Sequence, residues 1–72
     1  MKVGGEEMKI LIWLKKERML AKMTQQEVAD IAGITRPHYA HIELGKYEPR
    51  DFTKYMIAEA IGFDVELWEQ KK

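Results

Sequence analysis

Apolar residues recur every three or four positions along most of this chain, the spacing of an amphipathic α-helix. In the first segment Ile10, Leu11 and Leu14 share one face, while Lys15–Glu17 supply a polar one. The same spacing predicts helices over residues 8–22, 24–32, 35–44 and 51–61, and a short fifth helix over 63–68. The pattern therefore predicts an all-α fold, a compact bundle of four to five helices.

The central stretch, residues 24–45, carries the clearest helix boundaries. Thr24 and Glu27 have the spacing of a capping box at the start of one helix. Gly33 is placed to end that helix, and Thr35 to cap the next, with Pro37 in its first turn. Gly45 is placed to end the second helix. Two short helices joined by a tight turn containing glycine form a helix-turn-helix.

The remaining helices are less sharply bounded. Asp51 is the candidate cap of the fourth helix and Asp64 that of the fifth, where Phe63 and Trp68 have the spacing of a hydrophobic staple. The apolar positions of the fourth helix are predicted to face the core; they are Phe52, Tyr55, Met56, Ile57, Ala60 and Ile61.

The chain of 72 residues has room for one small domain, predicted over residues 8–68. Residues 1–7 are expected to form a flexible lead-in and residues 69–72 a frayed end. No apolar run approaches the ~20 residues that span a membrane, and the first residues lack a signal-peptide pattern. The sequence contains no cysteine, so disulfides and thiolate metal sites are excluded, and a cytoplasmic location is expected.

The net charge is zero, from 12 Lys and Arg against 12 Asp and Glu. This balance counts against nucleic acid, which is bound largely through basic residues. Between residues 36 and 54 the distribution is more favourable, because an internally paired Glu43 would leave the exposed charge positive. The sequence predicts modest, salt-sensitive affinity for a polyanion.

The sequence of the central stretch resembles that of a known family. Residues 23–29 (MTQQEVA), 32–35 (AGIT) and 42–46 (IELGK), followed by Pro49, look like the Cro and phage-repressor type of helix-turn-helix, the Xre family. The resemblance covers about residues 8–68. It implies a lambda-repressor-like fold and a double-stranded DNA-binding transcription regulator, in particular a repressor that binds a pseudo-palindromic operator as a homodimer.

The resemblance also implies roles for particular residues. The recognition helix would place four side chains at base edges: Arg36, Pro37, Ala40 and His41. Phosphate contacts would come from Gln25, Thr35, His38, Lys46, Tyr47 and Arg50, with Lys54 along the same side. Arg18 would form a structural ion pair with Glu43. Lys22 departs from the family, where a glycine often ends the first helix.

The last apolar residues allow two interpretations. Phe63, Val65 and Trp68 either close the core or form an exposed patch, and the family dimerises through this end of the fold. A second function therefore stays open. The chain is then an antitoxin or an adaptor that holds a toxin-like protein partner on the same fold.

Other chemistry is not indicated. The sequence lacks a serine or cysteine nucleophile arrangement, a glycine-rich phosphate loop and paired carboxylates, so an enzyme is not expected. His38 and His41 stand one helical turn apart, but no third or fourth metal ligand is evident nearby. We expect neither a metal nor a cofactor.

Overall fold

The computed structural model describes residues 10–46 and 48–71. Over these ranges the chain is helical without any strand, as the sequence predicts, and the five helices are α1 Ile12–Leu20, α2 Gln25–Ala32, α3 Arg36–Glu43, α4 Asp51–Ile61 and α5 Leu67–Gln70. Within them no helix has the length and apolar content needed to cross a bilayer. The expected lead-in at residues 1–7, the first residues of the first predicted helix and the role given to Tyr47 lie outside the described residues.

Both helices of the central motif begin and end as their capping residues predict. Thr24 Oγ1 accepts a hydrogen bond of 3.0 Å from the Glu27 amide, and the Glu27 carboxylate accepts one of 2.8 Å from the Thr24 amide. Thr35 Oγ1 accepts from the His38 amide at 3.2 Å. Gly33 adopts a left-handed conformation after α2, with φ 76°, and glycine does so without steric cost.

α1 ends differently, because the residue in the left-handed conformation is not a glycine. Lys22 occupies the left-handed position after the helix, with φ 59°. The backbone nonetheless completes a normal helix exit, because the Met23 amide donates to the Arg18 carbonyl at 3.2 Å. A side chain at such a φ costs about 1–2 kcal/mol relative to glycine. The fold therefore accepts a lysine where a glycine would fit without strain.

Two helix starts and one cap differ from the predictions. α1 begins at Ile12, and the amide of Leu11, its N-cap, donates to the Glu43 carbonyl at 2.8 Å. Asp51 is the first residue of α4 and not its cap, a position held by Arg50 without a side-chain hydrogen bond. Asp64 accepts from the Glu66 amide at 2.8 Å, which makes a local turn and delays α5 to Leu67.

The core lies between α2 and the helices that pack against it, α3 and α4. Its buried members are Leu14, Val28, Ala29, Ala32, Tyr39, Ile42, Ile57 and Trp68. An aromatic cluster joins α1 to the last residues: the Trp13 ring meets Phe63 edge-on at 5.5 Å and Trp68 at 5.2 Å. Such perpendicular ring pairs are favourable beyond the area they bury.

Four of the six apolar α4 residues predicted to face the core lie in it or pack against it, and two do not. Phe52 is 71% exposed and Tyr55 is 50% exposed, whereas Lys54 is 7% exposed. The inward stripe runs through Lys54, Ile57, Ala58 and Ile61, which have the spacing of one helix face. A pattern read from apolar residues alone misses Lys54, the first member of this face.

Candidate nucleic-acid interface

The outward face of α3 carries the four residues expected at base edges. Tyr39, Ile42 and Glu43 are buried, so the helix turns its other side outward. Arg36 and Pro37 are exposed there, and Ala40 and His41 are half-buried. These four positions have the i, i+1, i+4, i+5 spacing of one stripe. The structure thus brings them together on a single surface.

A buried ion pair anchors the inward side of α3. Arg18 Nε lies 2.7 Å from Glu43 Oε2, and the two side chains are only 11% and 6% exposed. The same guanidinium donates through Nη1 to the Met23 carbonyl at 2.9 Å. Arg18 therefore ties α1 to the end of α3 and to the turn that precedes α2, as the resemblance implied for this pair.

Two further side chains complete this network, and sequence reasoning missed both contacts. Tyr39 Oη donates to Glu43 Oε2 at 2.6 Å, and Gln25 Nε2 donates to Glu43 Oε1 at 3.0 Å. The i, i+4 spacing of Tyr39 and Glu43 could have indicated the first contact, whereas the second depends on how α2 crosses α3. The Gln25 amide nitrogen thus lies on Glu43, and its contact with a phosphate stays a prediction.

At neutral pH the network favours one protonation state for each member. Burial alone would raise the pKa of Glu43, but hydrogen bonds from Arg18, Tyr39 and Gln25 outweigh it and lower that pKa. Burial, together with the hydrogen bond to Glu43, raises the pKa of Tyr39. The hydrogen bond to Glu43 also raises the pKa of Arg18. At neutral pH the group is a carboxylate held by a phenol and a guanidinium, which suits a fixed support.

Internal pairing shifts the charge of the exposed surface. Glu43 is neutralised by Arg18, and Glu48 lies 2.7 Å from Lys54 Nζ. Between residues 36 and 54 this leaves the cations Arg36, Lys46 and Arg50 against Asp51. All three cations are exposed. A chain of zero net charge therefore still presents a positive surface around α3.

The residues expected at phosphates are placed unequally. Thr35 and Lys46 are exposed beside the ends of α3, and Arg50 is exposed just before α4. His38 is half-buried and interacts within the described part of the chain. The role suggested for Lys54 is wrong, because its ammonium faces inward, 5.9 Å from the centre of the Trp68 ring.

The far end of the molecule differs from its expected form. Trp68 is only 4% exposed, so it closes the core and offers little surface to a partner. Phe63 and Val65 are half-buried. The large apolar side chains that are well exposed lie elsewhere: Ile10, Ile12, Met19, Leu20, Ile31, Leu44, Phe52 and Tyr55.

A metal site finds no support among residues 10–46 and 48–71, where no three His, Asp or Glu side chains stand close enough to hold an ion.

The candidate interface consists of a short helix, a turn, and a second helix whose polar side faces out. That arrangement defines the helix-turn-helix class of proteins.

Comparison of the sequence with known protein families agrees with the helix-turn-helix fold. The helix-turn-helix family model matches residues 14–68, and the chain belongs to that family, in its Cro and phage-repressor (Xre) type.

Two relatives come from Bacillus subtilis strain 168. The uncharacterized HTH-type transcriptional regulator YqaF is 44% identical over 52 residues, which cover 72% of this chain and 68% of that protein. The uncharacterized HTH-type transcriptional regulator YqaE is 58% identical over 36 residues, which cover half of this chain and 31% of that protein. No solved structure matches the chain.

Proposed function

We propose that this protein is a sequence-specific double-stranded DNA-binding transcription regulator that reads the major groove with α3. The observation that carries the proposal is the outward stripe of α3, with Arg36 at its start, on a helix anchored by the buried Arg18–Glu43 pair. Family membership and the names of both relatives support the same function.

Register on the duplex would come from contacts to phosphates. Gln25 and Thr35 stand at the first turns of α2 and α3, and Lys46 and Arg50 flank the loop between α3 and α4. Contacts of this kind orient a protein on DNA without reading its sequence. They also make affinity fall with salt, in proportion to the number of phosphates neutralised.

Sequence would be read chiefly by Arg36 and His41. An arginine can donate two hydrogen bonds to O6 and N7 of a guanine, worth about 1–3 kcal/mol of discrimination. Pro37 and Ala40 offer apolar contacts, suited to a thymine methyl group. A cation at the first position of α3 is unfavourable toward the helix dipole, which favours a functional reason for Arg36.

The active form is proposed to be a homodimer on two inverted half-sites. Each α3 would then enter the major groove one duplex turn, about 34 Å, from the other. The dimer contact is proposed at the α4–α5 end, through the half-buried Phe63 and Val65. Repression would follow where the bound dimer blocks the polymerase.

A second function, a protein-binding adaptor or antitoxin, is favoured by one observation. Phe52 and Tyr55 are exposed one helical turn apart on α4, and exposed apolar patches often mark protein interfaces. The two functions are compatible, because α3 and this side of α4 use different residues.

The test of the main proposal is selection from a pool of random DNA duplexes at near-physiological salt. Enrichment of inverted half-sites about one helical turn apart is expected. Arg36→Ala should lose preference at one base position, whereas Arg50→Ala should weaken binding uniformly across sequences. Failure of the wild-type protein to enrich any sequence would refute a sequence-specific regulator and direct the search to a protein partner.

A further inference from the structure

An open groove of about 560 Å³ lies between the α1–α2 turn and the start of α3. Its lining contains three cations and no acidic residue; the lining residues are Arg18, Met19, Lys22, Met23, Thr24, Gln25, Gln26 and Arg36. In a chain with zero net charge, a groove of one sign favours an anionic occupant.

The three cations are not equivalent. Arg18 is committed to Glu43 at 2.7 Å. Lys22 is exposed, and no ion pair or side-chain hydrogen bond joins it to another residue in 10–46 or 48–71. The groove is therefore lined by an exposed Lys22 ammonium as well as by the Arg36 guanidinium.

The backbone conformation of Lys22 independently indicates a role for its side chain. Its φ of 59° is one that glycine adopts freely and a lysine does not. A strained non-glycine residue in an exposed turn suggests a function for its side chain. The hydrogen bonds of this helix exit come from backbone atoms and from the Arg18 guanidinium, and none of them uses the Lys22 side chain.

We infer that Lys22 contacts a DNA phosphate, in a groove continuous with the base-reading stripe through Arg36. This inference rests on the proposed function and adds a residue to it. With Arg36 at one edge of the groove and Gln25 beside it, a duplex lying on α3 brings its backbone past the α1–α2 turn. Lys22 supplies a point charge there, and a lysine binds phosphate in that way.

Two substitutions separate this role from a structural one. Lys22→Gly removes the charge and relieves the left-handed lysine, so the urea midpoint is expected to rise while affinity for the selected duplex falls. We expect binding about tenfold weaker at low salt, and a slope of log K against log salt smaller by about 1. Lys22→Arg keeps the charge and should retain the wild-type slope.

Lys16→Gln is the matched control, because it removes one exposed cation from α1 outside the groove. It should leave both affinity and slope nearly unchanged. If Lys22→Gly binds the duplex with the wild-type affinity and slope, the Lys22 contact is refuted while the proposed function stands. If the wild-type protein binds no duplex, the proposed function itself is refuted, and this inference with it.

Discussion

Tyr39 Oη lies 2.6 Å from Glu43 Oε2, one helical turn along α3 and fully inside the protein. The contact links the residue that fills the centre of the core to the carboxylate that anchors the recognition helix. Tyr39 is 0% exposed and Glu43 is 5% exposed. The position of the candidate interface thus depends on a polar group placed in the core.

Removing that hydroxyl is expected to destabilise the fold. Tyr39→Phe keeps the ring but deletes a hydrogen bond to a buried charge, at a cost of about 2 kcal/mol. Tyr55→Phe is the control, because Tyr55 is 50% exposed and its hydroxyl loss should change little. Urea unfolding followed by circular dichroism measures both. Equal midpoints for the two variants would contradict the role given to Tyr39.

The lowered pKa of Glu43 predicts a loss of stability in acid. The unfolded chain binds its proton near the ordinary pKa of 4.5, and the folded chain only at lower pH. This contribution is complete above the unfolded value and is lost as pH falls through the folded value. The free energy of unfolding of the wild type should therefore decline below about pH 4.5, measured by urea titration at successive pH values.

Glu43→Gln tests whether Glu43 causes this loss of stability in acid. The variant is less stable at neutral pH, because Arg18 loses its charged partner. Its stability should vary less with pH below 4.5, since the lowered pKa is gone. A variant with the same acid slope as the wild type would assign the loss to other carboxylates.

The pair formed by Lys54 and Glu48 predicts an asymmetric response. Lys54→Met retains the buried stem and removes the charge, so stability should change by less than about 1 kcal/mol. Glu48→Ala leaves a buried ammonium without its carboxylate. Because the Glu48 side chain is 65% exposed, the cost is discounted to about 1 kcal/mol. The double variant, Lys54→Met with Glu48→Ala, is expected to be as stable as Lys54→Met alone. A further loss of stability in the double variant would show that Glu48 acts through another contact.

The inward face of α4 can be tested by a matched pair of substitutions. Phe52→Ser should alter the free energy of unfolding by less than about 0.5 kcal/mol, because the ring is exposed. Ile57→Ala should cost about 3 kcal/mol, because it opens a cavity in the core. Thermal and urea unfolding measure both, and a large loss for Phe52→Ser would restore the face predicted from apolar spacing.

The proposed dimer contact calls for a substitution that spares the core. Trp68→Ala is unsuitable, since Trp68 is buried against Trp13. Val65→Glu places a charge at a half-buried position and should shift the mass in sedimentation equilibrium from dimer toward monomer. An unchanged mass, with native circular dichroism, would move the dimer contact away from this end.

The central motif was predictable because its signals are local. Capping by Thr24 and Thr35, and the left-handed turns at Gly33 and Gly45, depend on residues within one turn of each helix end. Sequence spacing also placed Arg36 and His41 on one side of α3 and Tyr39 on the other. The resemblance to a family supplied the partner of Arg18, which lies 25 positions away.

Only the tertiary structure decided the rest, because it depends on how helices cross. The Gln25–Glu43 hydrogen bond requires α2 to meet α3 at one register. The burial of Lys54 requires Glu48 and Trp68 to meet it from two other segments. With Lys54 on the inward face of α4, Phe52 and Tyr55 lie on the outward face. The sequence alone determined the number of helices, the ends of α2 and α3 and the outward side of α3. Packing determined which charged side chains lie inside and which groove beside α3 is left positive.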